Sequence, residues 1–241
     1  MTADRWAQVV RLQVGLGRLL PLGGPQDGAW IAEVAAGAVL GRAAADGVPG
    51  VRLGALRIGP AGPEAADEPV VPAPPSALWP GALRVTADFA ATASEPLPSV
   101  ASRLRLALAA AATEQLGLVV TEVDLRVTDL LEAPGQAAAA VRPPEPPPAR
   151  EPGDQEEAAV ARAALGVPGV LRLTGSLGGL GRAVHIEERG GDTALPHRHV
   201  RVEIATGTDR RAVDVARQVR AAVRDALRDR PTVAVLVTAV G

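Results

Sequence analysis

The sequence predicts an α+β protein made of two tandem α-β-β-α-β units, each a three-stranded mixed sheet with two helices on one face. Three observations point there. Val-Pro-Gly-Val occurs twice, at 48–51 and 167–170, both times between a helical and an extended pattern. Leu83-Arg84-Val85 aligns with Val200-Arg201-Val202, each within an alternating strand that precedes a long helical pattern and a further strand. A Pro/Ala-rich tract separates the two halves. Repetition at a fixed element order is the signature of a unit used twice. The organisation that follows is an N-terminal arm at 1–27, a first repeat at 28–132 with an insertion at 59–80, a disordered linker at 133–153, and a second repeat at 154–241.

In the arm, Val9, Leu12, Leu16 and Leu19 recur at helical spacing, so residues 3–20 read as an amphipathic packing helix weakened by Gly15 and Gly17. A helix over 28–45 follows, with Ile31, Val34, Ala35, Ala38 and Val39 as its apolar face and Asp46-Gly47 as its stop. Residues 51–58 read as a strand, and the seven prolines between 60 and 80 as an irregular loop. Over 82–90, Leu83, Val85, Ala87 and Phe89 alternate with Arg84, Thr86 and Asp88, the period of a half-buried strand. A helix over 97–116 ends at Gly117, placed as its left-handed cap. Strand 119–130 sets Val123, Leu125 and Val127 against Glu122, Asp124 and Arg126.

The tract 133–153 carries a poly-Ala run and Pro143-Pro144-Glu145-Pro146-Pro147-Pro148, a composition that spaces rather than folds. The second half opens with a helix near Asp154, where Glu157 completes a capping box, and runs to Leu165. Extended material over 171–188 is broken by Gly178, Gly179 and Gly181; strand 198–206, a helix from a Thr208 cap to about Arg228, and strand 232–240 complete the unit. The crossover rule places the third strand of each unit parallel to the second, and the first strand is expected between them.

Composition narrows the function. All 25 basic residues are Arg, and Lys, Asn, Tyr and Cys are absent, a bias that follows GC-rich codons. A net charge of −2 argues against general electrostatic binding of nucleic acid, although residues 198–241 hold nine Arg against five acids. Without Cys there is no disulfide, thiolate nucleophile or thiolate-bound metal. The sequence has no apolar run of membrane-spanning length, and Arg5, Arg11 and Arg18 interrupt any leader-like stretch. A cytoplasmic protein is expected.

Few constellations carry chemistry. His185, His197 and His199 fall on one face of a hairpin with Glu187 and Glu203, the only candidate metal set, and Arg198 and Arg201 beside them oppose a cation. Gly175-Ser176-Leu177-Gly178-Gly179-Leu180-Gly181 lacks the Lys of a phosphate loop and reads as a bulged hairpin. No Gly-x-Ser-x-Gly element occurs. No catalytic residue, cofactor or bound metal is therefore expected. The interaction candidates are Arg217, Arg220, Arg224 and Arg228, aligned along one edge of the last helix, and Leu236. The last strand is apolar on both faces, the pattern of a strand covered twice, by the other unit or by a partner.

The α-β-β-α-β order, the Val-Pro-Gly-Val approach to the first strand, the alternating strand 200–206 and the long helix leading into a Val-rich last strand together resemble the alkaline-shock, or envelope-stress-response, protein family of Gram-positive bacteria. The resemblance is clearest over 159–240, and the chain departs from the typical member in having two units and no Asn. It implies a non-enzymatic scaffold or binding protein that self-associates or joins a membrane-anchored partner at the inner face of the envelope. The alternative is a nucleic-acid-binding module that uses the Arg-rich helix at 208–230.

Overall fold

The computed structural model describes residues 16–62, 66–132, 145–176, 181–191 and 194–241. Over these it is an α+β structure with four α-helices, a six-stranded mixed sheet and a three-stranded mixed sheet. The part of the expected helix at 3–15 lies outside the described residues. At 16–21 the helical reading is corrected. Leu19–Pro21 is a strand, β1, and it pairs antiparallel with β2 (Ala29–Ala32). Ile31 in β2 reads as a helix-face residue because the apolar run continues into the true helix, α1, which starts only at Glu33 and ends at Gly47. What decides the matter is tertiary. β2 lies parallel to the last strand of the chain, with Trp30 opposite Leu236, a pairing that propensity over a short window does not encode.

The small sheet holds β3 (Val51–Pro60), β4 (Leu83–Thr92) and β5 (Val120–Leu131) in the order β3-β4-β5. β3 and β4 are antiparallel and β4 and β5 are parallel. The middle strand is therefore the second one, which corrects the expectation that the first would lie between the other two. An antiparallel neighbour needs no crossover, so the first strand takes the free side of the second, away from the crossover helix. The alternation in β4 is realised, since Leu83, Val85, Ala87 and Phe89 are buried and the opposite face carries Arg84, Thr86 and Asp88. The crossover helix α2 (Leu97–Ala110) continues as a π-helical turn, Ala111–Leu116, and stops at Gly117 with φ 92°. α1 packs against both α2 and β3, and α2 packs against β5.

The larger sheet runs β1-β2-β9-β8-β6, with β7 also paired to β8. Its C-terminal strands are β6 (Val170–Leu173), β7 (Val184–Gly191), β8 (Ala194–Thr206) and β9 (Thr232–Val240). β8 lies between β9, parallel to it, and β6 and β7, both antiparallel to it. Because β7 is a further strand and β2 pairs with β9, the second half is not the separate three-stranded unit expected, its sheet being completed by strands from the start of the chain. α3 (Gln155–Leu165) starts at Asp154, whose Oδ1 accepts the Glu157 N–H at 2.8 Å, while Glu157 reaches back to the Gly153 N–H at 2.7 Å. That is the expected capping box, its return bond shifted by one residue. α4 (Ala212–Ala226) follows Arg211 and has no side-chain cap, so Thr208 is not its cap and the helix ends two residues earlier than expected. Gly207 to Asp209 instead form the turn out of β8, where the Gly207 N–H bonds the Gly169 carbonyl.

Two segments expected to be loose are packed where they are described. In the insertion, Val71 is buried and the Leu78 carbonyl accepts Trp30 Nε1 at 3.1 Å. In the tract read as a disordered linker, the Ala149 N–H bonds the Leu173 carbonyl, the Gly175 N–H bonds Pro147, and Arg172 bonds Glu145 and Pro146. Proline lacks an N–H but keeps its carbonyl, and an extended chain can lay that acceptor along a sheet edge. The remainder of that tract, at 133–144, and the glycines at 178 and 179 lie outside the described residues.

Candidate functional site

The Arg edge of α4 divides in two. Arg217 donates from Nε to Asp27 Oδ1 at 2.7 Å and from Nη2 to Asp27 Oδ2 at 3.0 Å, and from Nη1 to Asp214 at 2.9 Å. Arg220 donates to the Gln26 carbonyl. Both cations thus clamp the 23–28 turn onto α4. Arg224 and Arg228 are exposed. Burial alone would raise the Asp27 carboxyl, yet hydrogen bonds from Arg217 and the Gly24 N–H, with the charges of Arg217 and Arg220, bring it below the ordinary carboxylate value. Burial, then repulsion from Arg224, holds the Arg220 guanidinium below its ordinary value. The unpaired basic run read from sequence is therefore half a run. Asp214 stands at helical spacing from Arg217, but Asp27 sits about 190 residues away in the chain, where that spacing cannot reveal it.

A shallow groove of about 480 Å³ opens at the start of α4 between Arg210, Arg211, Asp214, Arg217 and Gln218. Its cations are also engaged: Arg211 donates to the Thr113 carbonyl at 2.9 Å, and Arg210 lies 3.8 Å from Asp209.

Leu236 lies inside the molecule, fully buried beside Trp30. The doubly apolar character of β9 is explained by the chain itself, because α4 and α1 both pack on this strand and β2 flanks it. Leu236 has no surface to offer a partner.

The histidines are placed on one strand face, as alternation expects, with His185 opposite Arg201 and His199 opposite Glu187. They play separate parts. His199 is buried with Nδ1 2.8 Å from Thr232 Oγ1, His185 Nε2 lies 3.2 Å from the Arg182 carbonyl and 3.8 Å from Glu203 Oε1, and His197 is exposed. Among the described residues no group of three or more ligating side chains converges on a metal-sized point. Glu203 is fully buried and accepts the Ser176 N–H at 2.7 Å.

The surface that sequence reasoning passed over is the outer edge of β5. An outer strand presents unpaired N–H and C=O groups, and proteins usually cover them. This chain covers several others. On β1 the Leu19 carbonyl takes the Leu78 N–H, and on β6 the 147–149 segment pairs with Leu173 to Gly175. On β3 the Ile58 carbonyl takes Arg18 and its N–H donates to the buried Glu33 carboxylate. β5 spans twelve residues, and among the described residues no strand lies on its outer side. One helix side chain reaches it, Arg105, whose Nε donates to the Val123 carbonyl at 3.0 Å. Val127 and Leu130 stay 41% and 57% exposed on this strand. Ion pairs fix its polar face: Arg84 with Glu122 and Asp124, and Arg126 bidentate on Asp88. The hydrogen bonds from Arg126 hold the Asp88 carboxyl below its ordinary value. The sequence signal was present as alternation, but alternation is the same for an edge strand and a central one.

No family model and no curated protein matches this chain. No helix among the described residues is long and apolar enough to cross a membrane.

Proposed function

We propose that this protein is a non-enzymatic scaffold that works by self-association, with the outer edge of β5 as its assembling surface. The observation that carries the reading is the contrast between edges: the chain lays its own segments on β1 and β6 and meets β3 with the Arg18 and Glu33 side chains, whereas among the described residues no strand lies on the outer side of the twelve-residue β5. Main-chain pairing at such an edge supplies affinity, and the apolar side chains beside it supply specificity. The resemblance to the alkaline-shock family supports the same reading and adds the setting, a cytoplasmic protein peripheral to the inner face of the membrane through an anchored partner. No cofactor is part of the proposal. In this reading the halves are one unit used twice. The left-handed glycines Gly50 and Gly169, with φ 80° and 96° in the two Val-Pro-Gly-Val turns, support it, as does the placing of β4 and β8, each between an antiparallel neighbour and a parallel one.

Binding of nucleic acid through the helix at 208–230 is the weaker reading, because Arg217 and Arg220 already bond Asp27 and Gln26. Light scattering coupled to size exclusion on the full chain, over a hundredfold range of concentration, tests the proposal. A mass that rises to two or more chains is expected. A monomer throughout, with a salt-dependent shift of RNA or DNA, would replace the scaffold by the nucleic-acid reading.

A further inference from the structure

The proposed self-association leaves the partner strand and its register open, and the residues of β5 fix both. We propose that β5 pairs with β5 of a second copy, antiparallel, in a two-fold register centred on Leu125. Two three-stranded sheets then become one six-stranded sheet. The inference rests on the self-association reading and adds the register to it.

The pairing of β4 with β5 is regular from Glu122 to Val127, with shifts only outside that stretch, so this is the flat part of the edge. Within it Val123, Leu125 and Val127 share the face of Val85, Ala87 and Phe89, and Glu122, Asp124 and Arg126 share the opposite one. A two-fold antiparallel pair centred on a residue joins positions equally far on either side of it, so like faces meet. Five centres can be compared. Centred on Asp124, that carboxylate meets its own copy. Centred on Arg126, two guanidinium groups meet. Centred on Val123, Glu122 meets Asp124 twice. Centred on Val127, Leu125 meets Asp129.

Centred on Leu125, Asp124 meets Arg126 twice, Val123 meets Val127 twice, and Leu125 meets Leu125. Opposite charges and matched apolar residues directly across a strand pair stabilise it, and like charges destabilise it. Of the five, only this register sets every residue from Val123 to Val127 opposite an apolar or oppositely charged counterpart. Arg84 and Asp88, already bonded to Asp124 and Arg126 within one copy, extend the alternation of charge across the junction. Arg105 must leave the Val123 carbonyl for the strand to dock, and its guanidinium is returned to water, not buried.

The absence of Cys from the chain makes the test direct, because one introduced thiol is then the only one. Directly opposed residues bring their Cα atoms to about 5.5 Å, within the span of a disulfide. On mild oxidation of the full-length protein, Leu125→Cys is expected to form a covalent dimer. Val123→Cys alone and Val127→Cys alone should not, while an equimolar mixture of those two should. Val127→Lys changes an exposed position twice per dimer and is expected to weaken association about tenfold or more by light scattering, with an unchanged circular dichroism spectrum. If the unmodified chain associates but Leu125→Cys fails to cross-link, or Val123→Cys cross-links to itself, the register is overturned and self-association stands. Association indifferent to Val127→Lys would remove β5 as the surface. A monomer at every concentration would remove both.

Discussion

Replacing Asp27 by Asn asks whether α4 is held by the Asp27–Arg217 clamp. Two charge-assisted bonds of 2.7 and 3.0 Å link the side chains, and Asp27 also takes the Gly24 N–H at 2.8 Å. Bonds to charged groups contribute about 1.5–3 kcal/mol where shielded, and fully exposed pairs about 0.2–1 kcal/mol. The Asp27 side chain is 15% exposed and that of Arg217 is 47%, so the pair falls between these limits. Arg217 keeps its bond to Asp214 when Asp27 is changed, which limits the loss. We expect Asp27→Asn to cost about 1–2 kcal/mol, or about 3–6 °C in melting temperature for a chain of this size.

The assay is urea denaturation of four proteins: the parent, Asp27→Asn, Arg217→Gln and the double variant. A coupling of about 1 kcal/mol is expected. The sign with pH follows from the depressed carboxyl. Its contribution is complete above the unfolded value of about 3.9 and is lost as pH falls through the lower folded value. Asp27→Asn should therefore flatten the acid limb of the stability profile and match the parent most closely at the lowest pH. A coupling within about 0.3 kcal/mol of zero, with parallel acid limbs, would refute the clamp and return Arg217 to the set of free surface cations.

Leu236→Ala should cost about 2–5 kcal/mol in denaturant titration, because the side chain is fully buried against Trp30 and leaves a cavity. Gly117→Ala should cost about 2 kcal/mol in the same titration. The residue sits at φ 92°, where a Cβ is strained by about 1–2 kcal/mol, and that Cβ would collide with Val213 of α4. Asp154→Ala, which removes the side-chain acceptor of the Glu157 N–H, should cost about 1 kcal/mol by thermal melting. Arg224→Gln with Arg228→Gln should change stability by no more than about 0.5 kcal/mol, since both side chains are exposed.

Elements with a local cause are legible in the residues alone. The strand 82–90 announced its buried face by alternation, the helix 97–116 its end by Gly117, and the helix at 155 its start by Asp154 and Glu157. Parallel pairing of β4 with β5 and of β8 with β9 follows from a helix between the strands that carries the chain back to the end where the first strand began, and that order is legible locally.

The rest depends on groups far apart in the chain and emerges only when the chain is folded. Ala29–Ala32 is a strand since β9 lies beside it, some two hundred residues on. Arg217 is an anchor since Asp27 faces it, and Leu236 is interior since α1, α4 and β2 close around β9. The bare edge of β5 is the clearest case. Its alternating side chains are the same whether a strand lies beyond it or not, and only the order of strands in space shows that none does among the described residues. Side-chain period reports which face of a strand is buried, and it is silent on the perpendicular direction, in which the backbone hydrogen bonds run.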